Sequence, residues 1–393
     1  MNKKNTKDNF INFEPINKNA EASLYYGFTP IKELKISKED IVKASSLKDN
    51  FSKNNNLSWI FSQNFVEERI SLIRKYLSEG MSSLPQPLMF VHESTNIKER
   101  AKDTINLEIM GSHKSIAEAL LIKTALSILN DNGFKDLYIE INTIGDKESS
   151  NRFTKELTNY LKKNLNSIPA HCRQNFKKDP FYVLVCDECD LSKIKESIPT
   201  SVSCLSDESR IDFKEILEYI ETMEMPYKIN NCLLPDKKYC SETIYQIKNQ
   251  STDEILATGF RYDGLAQKIG NRKDIPGAGV KIFLKKKSVV KKISKLPKPI
   301  AFYIQLGDEA KHKSLDVIET LKKERIFVYH MLGRDKFGSQ FALVEKSKTP
   351  YVIIMGKKES LENSVMVREN STRVQETVSI KDLASHIEKV SKK

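Results

Sequence analysis

A connector rich in lysine and proline, residues 285–299, divides the chain into two parts with different patterns. Beyond this connector, short apolar strands alternate with amphipathic helices. The predicted order is strand 301–306, helix 309–323, strand 326–329, helix 336–346, strand 351–355 and helix 381–390. Alternation of this kind favours a small α/β domain whose mostly parallel sheet is covered by helices on both faces.

The bulk composition is that of a globular protein. With 393 residues, 39% of them hydrophobic, the chain can bury at least two cores. No apolar run reaches the length of a membrane span, and the polar start lacks the apolar segment of a signal peptide, so we expect no membrane partner. Six cysteines over this length do not resemble a disulfide framework, which favours a reducing cytoplasm. The net charge of +12 is compatible with a polyanionic partner.

The octapeptide 258–265, with the sequence TGFRYDGL, follows a strand-like run and is too polar to be ordinary core. Gly259 and Gly264 allow the backbone to approach a ligand closely. Arg261 and Asp263 share one face if the segment is extended. Two interpretations stay open: a ligand-binding loop, or a turn that holds a sheet together.

Five further segments complete a recognisable order along the chain. They are Tyr25-Tyr26-Gly27-Phe28, the stretch 80–87, Glu108-Ile109-Met110-Gly111, Asn142-Thr143-Ile144-Gly145-Asp146, and the strand that ends at Met355-Gly356. Together with the octapeptide, these segments resemble the histidyl-tRNA synthetase family, a group of class II aminoacyl-tRNA synthetases. The likeness runs from about Ala22 to Val390, and the shared order of the segments is more specific than any one of them.

The resemblance implies an α+β fold, in which a mixed, mainly antiparallel sheet domain precedes a small α/β anticodon-binding-like domain. The expected divisions are a disordered tail over 1–20, a catalytic-core domain over 21–287 with an inserted segment at about 150–225, a basic linker over 288–299 and the anticodon-binding-like domain over 300–393. The family is homodimeric, with its first motif at the subunit interface, so the resemblance also implies a homodimer.

The positions that carry the family's chemistry depart from its pattern. Aminoacyl adenylation needs cations around the triphosphate, and lysine lacks the planar fork of arginine. The departures are Pro235 in place of an arginine, a shortened second motif without its F-R-x-E turn, Phe283 in place of the glycine over which adenine packs, and Lys286 in place of the third motif's arginine. We therefore predict that the chain does not form histidyl-adenylate. Lys286 and Arg261 are the remnant catalytic positions, and the remnant ligand pocket comprises Glu67, Tyr239, Arg261, Tyr262 and Asp263.

Two further sets of residues are candidates for binding. The C-terminal domain keeps its strand–helix spacing, and anticodon domains bind splayed bases by aromatic stacking and polar contacts. The predicted RNA contacts are Tyr329, His330, Arg334, Phe337 and Gln340. Cys186 and Cys189 form a single CxxC pair, for which we favour reduced thiols over a zinc site, because a second pair is missing.

Three functions follow from these observations. The favoured one is binding of tRNA or another structured RNA without aminoacylation. A second is an active histidine–tRNA ligase with displaced catalytic residues, which would use ATP and Mg. A third is a regulatory subunit of ATP phosphoribosyltransferase, although such partners usually lack the anticodon domain.

Overall fold

A computed structural model describes residues 10–47, 65–94, 102–176, 179–185, 197–235, 238–285, 291–334 and 337–391. Within these ranges, no helix is both long enough and apolar enough to cross a membrane. The fold is α+β, with a large mainly antiparallel sheet followed by a smaller C-terminal sheet. This architecture confirms the predicted fold class.

The large sheet contains eight strands within the described residues, in the order β2-β3-β4-β9-β8-β7-β5-β6. The two outermost pairs, β2 with β3 and β5 with β6, are parallel, and the other neighbours are antiparallel. The strands are β2 (Thr29–Pro30), β3 (Leu88–Ser94), β4 (Lys102–Met110), β5 (Leu137–Thr143), β6 (Tyr227–Ile229), β7 (Ser241–Asn249), β8 (Ile255–Arg261) and β9 (Gly277–Lys285).

Helices cover both faces of this sheet. Short helix α1 (Glu21–Tyr25) precedes it, α2 (Lys38–Leu47) and α3 (Phe65–Ser78) lie together on one face, and α4 (Ile116–Asp131) lies on the other. In β4 the side chains alternate, so Leu107 points toward α4 while Glu108 points toward α3. The α4 face is an apolar core, whereas the α3 face carries polar side chains in its centre.

The predicted inserted segment is helical in its described parts. It contains α5 (Lys147–Lys163), α6 (Ala170–Phe176), α7 (Phe181–Val185) and α8 (Asp207–Thr222). Asp146 caps α5, because its carboxylate accepts a hydrogen bond from the Ser149 backbone N–H at 2.7 Å. Ser206 caps α8 in the same way through the Ser209 N–H at 3.2 Å. The short helix α9 (Leu265–Lys268) begins after Gly264, whose φ of +82° favours glycine.

The N-terminal segment and the connector form a ribbon. Strand β1 (Phe10–Asn17) pairs with β10 (Lys292–Pro297) in an antiparallel arrangement. The prediction of a disordered tail through residue 20 is therefore wrong for residues 10–20, and the predicted linker is a strand over much of its length. Phe13 on β1 packs against the buried side chains of Leu24, Tyr25 and Leu296, and backbone pairing joins the two strands on either side of a register shift between Asn12 and Ile16.

The C-terminal sheet orders its five described strands as β12-β11-β13-β14-β15. The two pairings of β11 are parallel and the remaining two are antiparallel, so the prediction of a mostly parallel sheet is wrong. The missed strands, β14 and β15, form an outer hairpin whose few buried valines give only weak apolar patterning. The elements are β11 (Ala301–Gln305), α10 (Asp308–Lys323), β12 (Val328–His330), α11 (Phe337–Ser347), β13 (Tyr351–Met355), α12 (Lys357–Leu361), β14 (Ser364–Glu369), β15 (Gln375–Ser379) and α13 (Leu383–Ser391).

The C-terminal domain is docked on the α4 side of the large sheet. The Tyr26 hydroxyl donates a short hydrogen bond to Glu319, and the rings of Tyr219 and His312 stack with centroids 4.1 Å apart. Apolar residues of both domains form one continuous buried cluster. The two domains therefore share a core, although a basic connector joins them in sequence.

Candidate functional site

The α3 face of the large sheet carries a row of buried polar side chains across four neighbouring strands. His92 faces Asn106, Asn106 faces Lys281, and Lys281 faces Thr258 in the strand register. Each of these four residues has a relative exposure of 2% or less. A sheet face that only packs against a helix would be apolar, because burying polar groups is costly. The row is therefore a candidate site rather than ordinary core.

Two cations from different elements, Lys281 in this row and Arg69 on the helix that covers it, are paired with carboxylates. Lys281 Nζ on β9 lies 2.6 Å from Glu68 Oε2 on α3, and both side chains are buried. Arg69 on α3 reaches down to β4, where its Nη2 lies 3.4 Å from Glu108 Oε1. Helix α3 thus places one anion and one cation at successive positions against groups of opposite charge in the sheet.

Aromatic rings surround the guanidinium of Arg69. Its central carbon lies 4.1 Å from the centroid of Phe260, 5.1 Å from Tyr262 and 5.3 Å from Phe65. A cation among ring faces is attracted by the ring quadrupoles, most strongly when water is excluded. The Tyr262 hydroxyl completes this surround by donating a hydrogen bond of 2.9 Å to Glu108 Oε2.

Burial shifts the titration of these groups. Burial raises the pKa of Glu108 to about 7, although the nearby Arg69 charge acts in the opposite direction. Burial lowers the pKa of Lys281, against the pull of Glu68. Burial likewise lowers the pKa of His92 to about 4, so its imidazole is neutral at physiological pH.

Close packing around Glu108 and β9 leaves little space on this face. Gly279 lies directly opposite Glu108 in the register, and a Cβ atom at position 279 would collide with the carboxylate. Phe283, also on β9, is 2% exposed and belongs to the α3-face cluster. The ring stands where the family resemblance expects the glycine beneath adenine.

Some polar atoms of the row have no hydrogen-bond partner among the residues that the structure describes. They are Nε2 of His92, Oδ1 of Asn106 and Oγ1 of Thr258. Neutral His92 and the Asn106 oxygen both offer acceptors. Nε and Nη2 of Arg69, which lies against the same sheet face, are likewise buried without a hydrogen-bond partner among the described residues, so this face presents unpaired donors as well as acceptors.

Arg261 and Asp263 share a face, as predicted, but it is the α4 face rather than the α3 face. The Arg261 guanidinium donates two hydrogen bonds to Glu118 on α4, at 2.5 and 2.6 Å, and a third to the Ser112 carbonyl at 2.8 Å. Burial opposes the charge of Arg261, but Glu118 outweighs that effect and raises its pKa. Asp263 accepts from the Gly277 N–H at 2.8 Å and lies 3.2 Å from His113 Nδ1.

The predicted pocket residues therefore divide between two faces. Tyr262 lies on the α3 face, and the ring centroid of Tyr239 lies 6.0 Å from that of Phe260 on the same face. Glu67 is buried at the start of α3. Arg261 instead joins β8 to α4. The sheet therefore separates it from Arg69 and the residues around that guanidinium, Phe65, Glu108, Phe260 and Tyr262, which we call the Arg69 cluster. Lys286, the other remnant position, lies outside the described residues.

The predicted RNA contacts are only partly available to solvent. Tyr329 and Phe337 are exposed, at 36% and 48%. His330 is buried against the Tyr25 carbonyl, 3.3 Å from its Nε2, and burial lowers its pKa to about 4. Gln340 is completely buried and exchanges hydrogen bonds with the Gln305 backbone at 2.8 and 3.2 Å. The prediction that His330 and Gln340 contact RNA is wrong, because both side chains serve the interior.

Arg334 is a fifth predicted contact that serves the domain junction. Its Nε donates to the Gln86 carbonyl in the N-terminal domain at 3.2 Å. The adjacent Gly333 carbonyl lies 3.5 Å from Nζ of Lys114. Arg334 keeps partial exposure, so this contact leaves some of its side chain at the surface.

The described cysteines are of two kinds. Cys172 is disulfide-bonded. Cys204, Cys232 and Cys240 are not disulfide-bonded. The predicted CxxC residues Cys186 and Cys189 lie outside the described residues. In the described part of the chain, no group of three histidine, cysteine or acidic side chains could hold a metal ion.

Sequence reasoning missed the residues that fill the α3 face. Glu68, Arg69, Glu108 and Lys281 were not identified as site residues. The available signal was a charged residue at an inward position of a predicted strand, as at Glu108 between Leu107 and Ile109. Such a residue must be buried if the strand is covered on both faces, and a buried charge needs a partner.

Comparison with known proteins identifies relatives over most of the chain. A protein-family model described as an anticodon binding domain matches residues 301–390. The chain is 25% identical over 336 residues to the histidine–tRNA ligase of Acetivibrio thermocellus, covering 82% of this chain and 80% of that protein. It is 26% identical over 339 residues to the histidine–tRNA ligase of Caldicellulosiruptor saccharolyticus, with 82% and 80% coverage.

A solved structure shows the same fold. The apo histidyl-tRNA synthetase of S. aureus matches with a TM-score of 0.50 and 17% sequence identity, over 93% of each chain. The match spans the large sheet and the C-terminal domain alike.

Proposed function

Because the chain belongs to the histidyl-tRNA synthetase family, we propose that it binds tRNA or another structured RNA without forming an aminoacyl-adenylate. The C-terminal domain is the part that engages RNA in this proposal. Its support is the match of residues 301–390 to an anticodon binding domain. The second half of the proposal, that no aminoacyl-adenylate forms, needs a physical reason why the other domain would be inactive.

One observation carries that reason: side chains of the protein itself fill the polar face where a substrate would lie. Lys281 lies in the row, Arg69 lies on the helix that covers it, and Phe283 packs beside them. All three are 2% exposed or less. A nucleotide cannot enter this space without displacing a buried, paired cation.

Charge leads to the same conclusion. Activation of an amino acid with ATP develops negative charge at the α-phosphate, which free cations must stabilise. Arg69 and Lys281 are the cations at this face, and each already has a carboxylate partner. Breaking such a buried pair leaves an uncompensated charge, which costs several kcal/mol. The pairs therefore oppose both binding and catalysis.

The alternatives from the sequence gain no support from the site. An active histidine–tRNA ligase would need ATP and Mg to bind where the paired cations lie. A regulatory subunit of ATP phosphoribosyltransferase would usually lack the anticodon domain that this chain has.

We also propose that the protein is a homodimer that works in the cytoplasm, on the basis of family resemblance. The start of the first motif, Tyr25 to Gly27, contacts the chain's own C-terminal domain. A dimer would therefore have to use other parts of that motif. Light scattering on a size-exclusion column measures the mass directly, and a monomer at micromolar concentration would contradict this part.

Two measurements on the full chain test the two halves of the main proposal. Fluorescence anisotropy with labelled tRNA should show binding that weakens as salt rises. Thermal shift with ATP, Mg and histidine, each up to millimolar concentration, should show no stabilisation, because only a bound ligand stabilises the folded state. Absence of RNA binding at low salt would end the first half. A clear shift with nucleotide would end the second.

A further inference from the structure

The ribbon and the C-terminal domain enclose a cleft of about 910 Å³ on the opposite side of the large sheet from the Arg69 cluster. One wall comes from the end of β1 and the start of β10. The other comes from the last turn of α10 and the residue Arg325 that follows it. The floor is the C-terminal end of α4.

The walls of this cleft carry four exposed cations. Lys18 and Lys291 are neighbours on the ribbon, because the Lys18 backbone N–H donates to the Lys291 carbonyl at 2.7 Å. Lys323 and Arg325 face the cleft from the C-terminal domain. Within the described part of the chain, none of these four side chains takes part in an ion pair. Two other lysines of the cleft are paired, Lys123 with Asp316 at 3.3 Å and Lys322 with Asp131 at 2.8 Å.

Unpaired cations gathered on both walls of a cleft raise the local concentration of anions. The carboxylates that line the cleft are Glu21, Asp131 and Glu319, and the last two are engaged with Lys322. Glu319 also accepts a hydrogen bond from Tyr26. The anions are thus largely occupied, while four cations remain for an external partner.

A series of aromatic rings connects the cleft to the exposed RNA-contact candidate Tyr329. Tyr25 lines the cleft, and its ring centroid lies 6.0 Å from Phe327. Phe327 in turn lies 5.9 Å from Tyr329. Proteins that bind single-stranded nucleic acid combine a basic groove for the backbone with aromatic rings for the bases. The cleft and Tyr329 provide these two parts side by side.

We propose that this interdomain cleft binds the phosphodiester backbone of RNA, with Lys18, Lys291, Lys323 and Arg325 as its phosphate contacts. The proposal rests on the RNA-binding function proposed above and gives it a location. Because both domains contribute a wall, binding requires the docked arrangement of the two domains.

The test uses the full chain, labelled tRNA and a series of salt concentrations. The variants are Lys323→Gln/Arg325→Gln and Lys18→Gln/Lys291→Gln. The matched control is Lys162→Gln/Lys163→Gln, which removes two exposed lysines from the last turn of α5, away from the cleft. Each lost phosphate contact should reduce the slope of log affinity against log salt by roughly 0.7 to 0.9. Each cleft pair should therefore reduce the slope by about 1.5, and the control should leave it unchanged.

The outcomes separate this inference from the function on which it rests. If the wild type binds RNA and both cleft variants keep the same slope of log affinity against log salt, the cleft is not the binding site, although the protein still binds RNA. Equal losses in the cleft variants and the control would also overturn the cleft as the binding site, because the effect would then be net charge alone. No wild-type binding at low salt would overturn both. Competition by millimolar inorganic pyrophosphate, removed by the same variants, would assign the cleft to small phosphates instead of RNA.

Discussion

Nη2 of Arg69 lies 3.4 Å from Oε1 of Glu108, and both side chains are almost completely buried. Three aromatic rings enclose the same guanidinium. The pair links helix α3 to the centre of the large sheet, at the position where the family resemblance expects a substrate pocket. Under the function proposed above, Arg69 occupies space that a substrate would need.

Replacing Arg69 should reveal how strongly the buried pair depends on both partners. Arg69→Ala leaves the Glu108 carboxylate without its cation, and we expect a loss of roughly 3–5 kcal/mol in the free energy of unfolding. The double variant Arg69→Met/Glu108→Gln should lose less, because no charge is left uncompensated. Urea denaturation measures both. Arg152→Ala removes an exposed pair with Glu148 and should cost less than about 1 kcal/mol.

If the double variant loses as much free energy of unfolding as Arg69→Ala, or more, the loss in Arg69→Ala does not come from an uncompensated charge. The same conclusion follows if Arg69→Ala loses no more than Arg152→Ala.

Arg261 should depend on the forked shape of its guanidinium. Arg261→Lys keeps the charge but cannot make both hydrogen bonds to Glu118 together with the one to the Ser112 carbonyl. We expect a loss of about 2–4 kcal/mol in the free energy of unfolding, since buried acceptors lose their donors. The control Arg152→Lys lies in an exposed pair and should change stability by no more than about 0.5 kcal/mol. A tolerated Arg261→Lys would mean that charge alone holds β8 to α4.

Acidification should weaken the domain junction through His330. Burial lowers the pKa of His330 to about 4 in the folded protein, whereas an unfolded histidine titrates near 6.5. Folded stability from this residue is therefore complete above about pH 6.5 and falls as the pH drops toward 4, because the unfolded chain binds the proton first. Between pH 7.5 and 5 the loss should be about 2 kcal/mol.

The measurement compares wild type with His330→Gln, which does not titrate, by urea denaturation at several pH values. Other titrating groups such as His92 and Glu108 affect both proteins alike, so the difference isolates His330. If the difference in free energy of unfolding between the two proteins stays constant from pH 7.5 to 5, the pKa of His330 is not lowered in the folded protein.

Tyr329 should affect RNA affinity without affecting its salt dependence. Its ring is 36% exposed and lies at the end of the aromatic series from the cleft. Tyr329→Leu removes stacking but no charge. The binding free energy should therefore weaken by about 1–3 kcal/mol, while the slope of log affinity against log salt stays the same. Anisotropy titrations with labelled tRNA give both quantities. Tyr160→Leu, on the inserted segment, is the control and should bind as wild type does.

The fold was predictable where patterning is local and regular. The strand–helix alternation after residue 300 correctly indicated β11, α10, β12, α11 and β13. The outer hairpin of β14 and β15 was missed because its strands bury few apolar side chains, Val365 and Val367 on β14 and Val378 on β15. Strand β1 was missed because its partner β10 is 275 to 287 positions away along the chain, and pairing at that separation has no local signal.

The site was predictable only as a set of departures from a family pattern. The family resemblance predicted that Phe283 stands in place of a glycine, but the sequence did not indicate that Arg69 reaches Glu108. The alternation of strand residues placed Arg261 and Asp263 on one face without showing which helix covers that face. His330 and Gln340 were misassigned for a related reason: a polar residue near a strand end is ambiguous until its neighbours in space are known.

The central claim is that Arg69 and Lys281, each paired with a carboxylate, close the substrate pocket that the family resemblance implies. Histidine-dependent ATP–pyrophosphate exchange tests this claim most directly. Run beside the Acetivibrio thermocellus histidine–tRNA ligase as positive control, the purified full chain should show no exchange above the level seen without histidine. Exchange that requires histidine and approaches the rate of the control enzyme would contradict the account.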